Sequence, residues 1–361
     1  MKREIIKIED FKEKELISET YEKSDFKSSR IKKLLELRDL TTQKNSPIKL
    51  ILDKVLDLER FRGFDLIHIP KIISVKNNFD ILDTPLNHPS RREGDTYYIN
   101  KDFVLRTQAT AMWPFYLTGL SVIEKLKKDG EIGALSFGIV FRKDEIDRHH
   151  FPAFHQIDGL YICERKKKVI TQKDLIAVLV DIAKSVYGLD VEWKVIPDTF
   201  PYTEESIEMN IKWNNDWLEV LGAGLVKGTV LSNLGIDPSL YNGWAFGFGL
   251  ERLAMVKMAI PDIRVLWSDD ERITKQFISI ESTYTEVSKY PEVERDISFV
   301  VDKNMSLNNY YEIVRDCAED LIEEVTLLDN YKSVEKFGKD KVSYTFRVVF
   351  RSLERTLTNE E

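Results

Sequence analysis

Two stretches concentrate side chains able to do chemistry. The first, Phe141 to Gly159, reads FRKDEIDRHHFPAFHQIDG and sets Arg142 and Lys143 beside Asp144, Glu145 and Asp147, with three histidines following. Its left edge, Leu135 to Phe141, is apolar and rich in strand formers, and its right edge alternates Ile157, Leu160 and Ile162 with polar positions. Two strands joined by a long charged loop are predicted. An arginine ending the first strand can hold an α-phosphate as negative charge develops, and a loop aromatic can stack on adenine, so the pattern suits an ATP-activating site. Taken alone, the stretch reads more readily as a solvated hairpin.

The second stretch is GWAFGFGLER, Gly243 to Arg252, continuing into LAMVKMAIPDIR. Glycines 243, 247 and 249 let the backbone approach a ligand, and Leu250, Leu253, Ala254 and Met258 then fall at helical spacing. Arg252 therefore lies in the first turn of a helix, beside its anion-attracting N-terminus and within reach of a terminal phosphate. No Gly-Lys-Ser/Thr follows the glycines, so this is not a P-loop. A helix packed on a strand, with Arg252 merely at the surface, is the plainer alternative.

Together these stretches, with HPSRREGDTYYIN (88–100), LRT (105–107) and IPDIRVLWSDDER (260–272), resemble class II aminoacyl-tRNA synthetases. Within that class the resemblance is to phenylalanyl-tRNA synthetases of the single-chain, mitochondrial type. It implies a two-step reaction: phenylalanine attacks the ATP α-phosphate to give the adenylate, and the 3′ end of tRNA(Phe) then takes the acyl group. It implies Arg142 and Arg252 as catalytic, with Asp144 and His150 near the ATP phosphates and Phe154 on adenine. Gln108 and Thr110 stand where the family has His-Thr-Ser at the amino acid's polar end, though they also fit as ordinary residues at a helix start. Gln156 and Asp158, two apart on one strand face, would hold the α-ammonium, Asp158 replacing the family's glutamate. Phe200 and Tyr202 flank a proline where the family carries Phe-Pro-Phe, and Ala245 and Gly247 would floor the ring site. Glu219 is a candidate Mg²⁺ ligand, helped by Asp144, although either is also readable as a surface acid. The alternative is a paralogue with altered amino-acid specificity or a non-catalytic binding role.

The elements that must position these groups follow from composition and pattern. With 361 residues and 43% hydrophobic content the chain can bury a large core divided into about two domains. No apolar run is long enough to span a membrane. Cys163 and Cys317, the only cysteines, exclude a disulfide framework or a cysteine zinc site. A net charge of −8 argues against indiscriminate nucleic-acid binding but permits a local basic face. Residues 1–45 read as a charged, exposed helical arm too acidic for an organellar presequence, so the sequence as written suggests a cytoplasmic protein, with the mitochondrial matrix as the alternative implied by the resemblance. The catalytic domain is assigned to 46–277, with a helix opening at Ser46-Pro47, a strand Phe64 to Ile69 and one helix from about Thr110 to Lys128. Helix 173–187 and strands within 191–225 follow.

Residues 278–287 read as a linker and 288–361 as strand, helix, strand, strand, the opening of a ferredoxin-like split βαβ unit that resembles the anticodon-binding domain of the same enzymes. On its last strand Tyr344, Phe346 and Val348 share one face, while Arg347 and Arg351 share the other and are candidate tRNA contacts. The 16 Asp and Glu against 11 Lys and Arg in this segment require any such contact to be local. Thr358 to Glu361 is a capping-box pattern, which predicts a C-terminally incomplete small domain. The expectation is thus an α+β protein: a class II antiparallel sheet flanked by helices, plus a small ferredoxin-like domain. It is expected to be monomeric, with ATP, phenylalanine, tRNA(Phe) and Mg²⁺ as its ligands.

Overall fold

A computed structural model describes residues 3–213, 215–287, 290–352 and 354–358. Its centre is an eight-stranded sheet in the order β1 (Ile5–Lys7), β2 (Asp65–His68), β5 (Glu131–Phe141), β6 (Ala153–Glu164), β10 (Tyr241–Gly249), β9 (Asp216–Val226), β8 (Thr203–Trp213), β7 (Trp193–Pro197). All neighbours are antiparallel except β1 with β2 and β2 with β5, so the expected antiparallel sheet carries a parallel edge. A short pair, β3 (Ile72–Ser74) with β4 (Phe103–Leu105), stands apart.

Both faces of the sheet are covered, which is why its central strands read as nearly continuous apolar runs. On one face lie the helices Pro47–Leu56, Gln172–Tyr187 and Leu250–Lys257, burying Ile48, Ile51, Val55, Leu175, Leu179, Ile182, Leu253 and Met258. Local signals set their ends: Ser46 caps the first through the Ile48 amide, with Pro47 in its first turn, and Thr171 and Asp174 form a capping box on the second. The other face is packed by Met112, Trp113, Leu117, Val122, Leu126 and Leu231. The single helix expected over 110–128 is instead two, Met112–Leu117 and Leu120–Asp129, separated by Thr118 and Gly119. Pro114 lies in the first turn of the former, where a missing N–H costs nothing.

The small domain has the predicted order: β11 (Val293–Asp302), the helix Leu307–Ala318, β12 (Ile322–Tyr331) and β13 (Lys341–Phe350), with β13 between the other two. Phe346 and Val348 of β13 are fully buried under Tyr310, Tyr311 and Val314. Most of the terminal capping-box pattern lies outside the described residues.

Two further expectations need correction. The N-terminal arm is two helices, Phe11–Glu22 and Phe26–Glu36, but it is docked rather than exposed: Leu16, Ile31 and Leu34 are buried against Ile72, Leu105 and Phe141. Its dense charge hid one apolar stripe per helix. The segment 278–287 is likewise pinned to the catalytic domain, since Ile280 is buried, Tyr284 stacks on Phe277, and the Tyr284 amide donates to the Met258 carbonyl at 2.8 Å.

Candidate active site

β6, β10 and β9 lie side by side at the middle of the large sheet and build the floor of a cavity of about 800 Å³. Asp158, Gly247 and Gly222 are in register across the three strands. A side chain would crowd the floor at both glycines: a Cβ on Gly222 would lie 2.9 Å from the Phe200 ring, and one on Gly247 would lie 3.1 Å from Asp158 Oδ2. All the candidates assigned to the amino acid and ATP line this one cavity: Gln108, Thr110, Arg142, Asp144, His150, Phe154, Gln156, Asp158, Phe200, Tyr202, Glu219, Ala245, Gly247 and Arg252.

At the amino-acid end Asp158 is buried. Its two oxygens accept from Thr110 Oγ1 at 2.7 Å and from the Trp113 indole nitrogen at 3.0 Å. Burial pushes its carboxyl up to about 7, although both hydrogen bonds pull the other way. Gln156 accepts from the Ala109 amide at 2.8 Å, and Gln108 donates to the Asn78 carbonyl at 3.1 Å, so the segment that replaces His-Thr-Ser is tied to both neighbouring elements. Trp113 meets the Tyr202 ring edge-on at 5.6 Å, and Phe200 stacks beside Tyr202 at 6.2 Å. Burial, with Asp158 nearby, pushes the Tyr202 phenol up to about 12, so it is a neutral donor at neutral pH.

At the phosphate end the half-buried Arg142 donates through Nε to the Thr107 carbonyl at 2.9 Å and lies over the Phe154 ring at 5.1 Å. Burial lowers its pKa without threatening its charge. Arg252 occupies the first turn of the helix Leu250–Lys257, as expected, and is exposed on the cavity wall. His150 shares a hydrogen bond of 2.7 Å with Asp147; this bond raises the imidazole pKa, and it combines with the His149 and His150 amides to hold Asp147 at about 2 against the effect of burial. Glu219 is pushed up by partial burial and by Glu208. Among the described residues no group of three or more His, Cys, Asp or Glu could hold a metal ion, so a Mg²⁺ at Glu219 would take most of its ligands from phosphate and water.

Arg347 on β13 and Arg351 just past its end do not line this cavity and carry acid partners. Arg347 pairs with Asp296 at 2.8 Å and Glu294 at 3.1 Å, and Arg351 with Glu323 at 2.5 Å and Glu292 at 2.6 Å.

Sequence reasoning missed Trp113, Asn78 and the pair His155–Glu251. His155 is fully buried on β6; its ring nitrogen lies 2.7 Å from Glu251, its own amide donates to the same carboxylate at 2.8 Å, and its far nitrogen accepts from the Leu40 amide at 2.9 Å. This network clamps the charged-loop strand to the helix of Arg252. A signal existed: His155 alternates with Gln156 on β6, so it had to face the opposite side, and Glu251 directly precedes Arg252.

Such a sheet, with an arginine on a strand end, a second at a helix start and a ferredoxin-like appendage, defines a class II tRNA synthetase. The family described as tRNA synthetases class II core domain (F) matches residues 31–277, and the ferredoxin-fold anticodon binding domain matches 288–361. The chloroplastic/mitochondrial phenylalanine-tRNA ligase of Arabidopsis thaliana is 37% identical over 331 residues, covering 87% of this chain and 73% of the relative. The mitochondrial enzyme of Mus musculus is 32% identical, covering 96% of this chain and 84% of its own. The phenylalanine-tRNA ligase alpha subunit of Clostridium novyi is 38% identical but covers only 66% of this chain. This chain belongs to the phenylalanine-tRNA ligase family of class II tRNA synthetases.

Proposed function

We propose that this protein activates phenylalanine with ATP and transfers it to tRNA(Phe), the activity named for its relatives. The observation that carries the reading is the convergence on one cavity of an aromatic-lined end closed by a buried carboxylate and a phosphate end flanked by two arginines. Asp158, with Thr110 beside it, takes the α-ammonium, while Phe200, Tyr202 and Ala245 enclose the ring. Arg142 meets the α-phosphate and stabilises the charge of in-line attack by the phenylalanine carboxylate; Arg252 and His150 hold the outgoing phosphates. No side-chain nucleophile is needed. Drawing Arg142 onto the phosphate uncovers the Phe154 face for adenine. A Mg²⁺ held by Glu219 and the phosphates would neutralise charge on the departing pyrophosphate. The organellar names of the relatives favour the mitochondrial matrix over the cytoplasm, and we take the working form to be a monomer. Arg347 and Arg351 would reach tRNA only by sharing or exchanging their present acid partners.

Phenylalanine-dependent ATP–pyrophosphate exchange tests the reading directly. Arg142→Ala and Arg252→Ala should each lower exchange by on the order of a hundredfold or more, because each removes a charged donor from the phosphate site. Near-normal exchange in both variants would refute these assignments, and exchange with another amino acid in preference to phenylalanine would refute the substrate.

A further inference from the structure

Asn78 is fully buried and lines no part of the cavity, yet it grips the segment that does. It sits on a wide turn, Lys76–Asp80, closed by the Ile81 amide donating to the Lys76 carbonyl at 3.0 Å. The turn delivers its side chain to Thr107: the carboxamide oxygen accepts from the Thr107 amide at 3.1 Å, and the carboxamide nitrogen donates to Thr107 Oγ1 at 2.9 Å. A peptide N–H can only donate, so the orientation of the carboxamide is fixed. The Asn78 carbonyl also accepts from Gln108 at 3.1 Å. From the other side, Arg142 Nε donates to the Thr107 carbonyl at 2.9 Å. Asn78 and Arg142 therefore hold the two ends of one residue, and the next residue along, Gln108, belongs to the amino-acid end of the cavity.

We propose that Asn78 is a positioning residue for adenylate formation, which through Thr107 and Gln108 sets the α-phosphate arginine in register with the amino acid. Neither substrate touches it. Its contribution is to geometry, which controls in-line attack steeply: a displacement of about 1 Å from a remote change can cost on the order of a hundredfold in rate. This role depends on the reading of Arg142 given above.

Asn78→Ala, Asn78→Asp, Thr107→Val and Thr107→Ser, compared in the full chain by pyrophosphate exchange, test the role, with melting temperature and the burst of adenylate per chain recording the folded, active fraction. Asn78→Ala should lower kcat per active site by on the order of a hundredfold while KM for phenylalanine and for ATP moves far less. Asn78→Asp keeps an acceptor for both the Thr107 amide and its hydroxyl and should recover most of that rate. Thr107→Val, which removes only the hydroxyl, should be impaired and Thr107→Ser should not. Losses from Asn78→Ala and Thr107→Val should be non-additive. Unchanged kcat in folded Asn78→Ala, or Asn78→Asp as slow as Asn78→Ala, overturns the proposal. If Asn78→Ala fails to fold, the Thr107 pair decides: equal rates for Val and Ser overturn it. Loss of exchange in Arg142→Ala without loss in Asn78→Ala removes the role of Asn78 and leaves the function standing, whereas no phenylalanine-dependent exchange in the unaltered protein removes the function itself.

Discussion

At the scale of single residues, Asp158 makes the sharpest demand. Its carboxyl is pushed up to about 7 by burial, yet only the carboxylate can hold an ammonium ion. In the free enzyme kcat/KM for phenylalanine should therefore rise with pH and level off above about 7, and Asp158→Asn should be slow with no such rise. A flat profile in the unaltered protein would detach Asp158 from the substrate. The same group burdens stability with the opposite sign: its folded pKa is above the unfolded value, so the native state binds the extra proton and stability from this site declines as pH rises from about 4 to 7. Asp158 and Gln156 were legible in the sequence because two-residue spacing on a strand fixes a common face. Trp113 was not, because its tie to Asp158 joins a helix to a strand 45 residues away. No periodicity encodes that meeting.

At the scale of elements, the cavity floor exists because two neighbouring strands, β10 and β9, omit side chains in register beside Asp158 of β6. The sequence marked the glycines of β10 through their density, whereas Gly222, one of two glycines in β9, was not tied to the site until β9 was paired with β10. Gly222→Ala should drive a methyl against Phe200, where the gap is only 2.9 Å, and tilt that ring into the substrate's space. We expect kcat/KM for phenylalanine to fall by roughly 10–200-fold with ATP parameters little changed, the range that one misplaced methylene commands. An equal loss for ATP would mean that the strand, rather than the ring site, had been disturbed. The segment after Phe277 was read as a linker because its polar and β-branched residues show no periodicity, whereas the arm was misread through its charge. High charge density was taken as exposure, but a helix needs only one apolar residue per turn to dock, and Leu16, Ile31 and Leu34 supply it.

At the scale of the whole molecule, the small domain is seated on the charged loop that precedes the active site. Ile146 at the loop's tip is buried in the small domain's own core beside Tyr311 and Val325, and its carbonyl accepts from the Val325 amide at 2.7 Å. Arg315 donates to the carbonyls of Asp144 and Glu145, and Tyr97 donates to the buried Glu312 at 2.8 Å. Glu323 is the electrostatic centre of the seam: 3% exposed, it meets Arg148 and Arg264 of the catalytic domain and Arg351 of its own. Burial raises its pKa, but Arg351, Arg148 and Arg264 together outweigh burial and hold it below the ordinary value. Removing this carboxylate takes one partner from three guanidinium groups at once, of which Arg264 keeps Asp262 and Arg351 keeps Glu292, whereas breaking a fully buried pair costs about 3–5 kcal/mol. Because Arg148 is partly exposed, Glu323→Ala should sit at or below the low end of that range. Acid should act in the same direction, since a depressed carboxyl contributes stability that is present above its unfolded pKa and is lost as pH falls through the folded one. The measurement is limited proteolysis of the seam together with thermal unfolding between about pH 3 and 7. The unaltered protein should release the small domain at the acid end as a separate, earlier transition, and Glu323→Ala should show that transition already at neutral pH; a single cooperative transition in both, at every pH, would mean that the two domains are held by Ile146 and its apolar neighbours with no measurable help from Glu323.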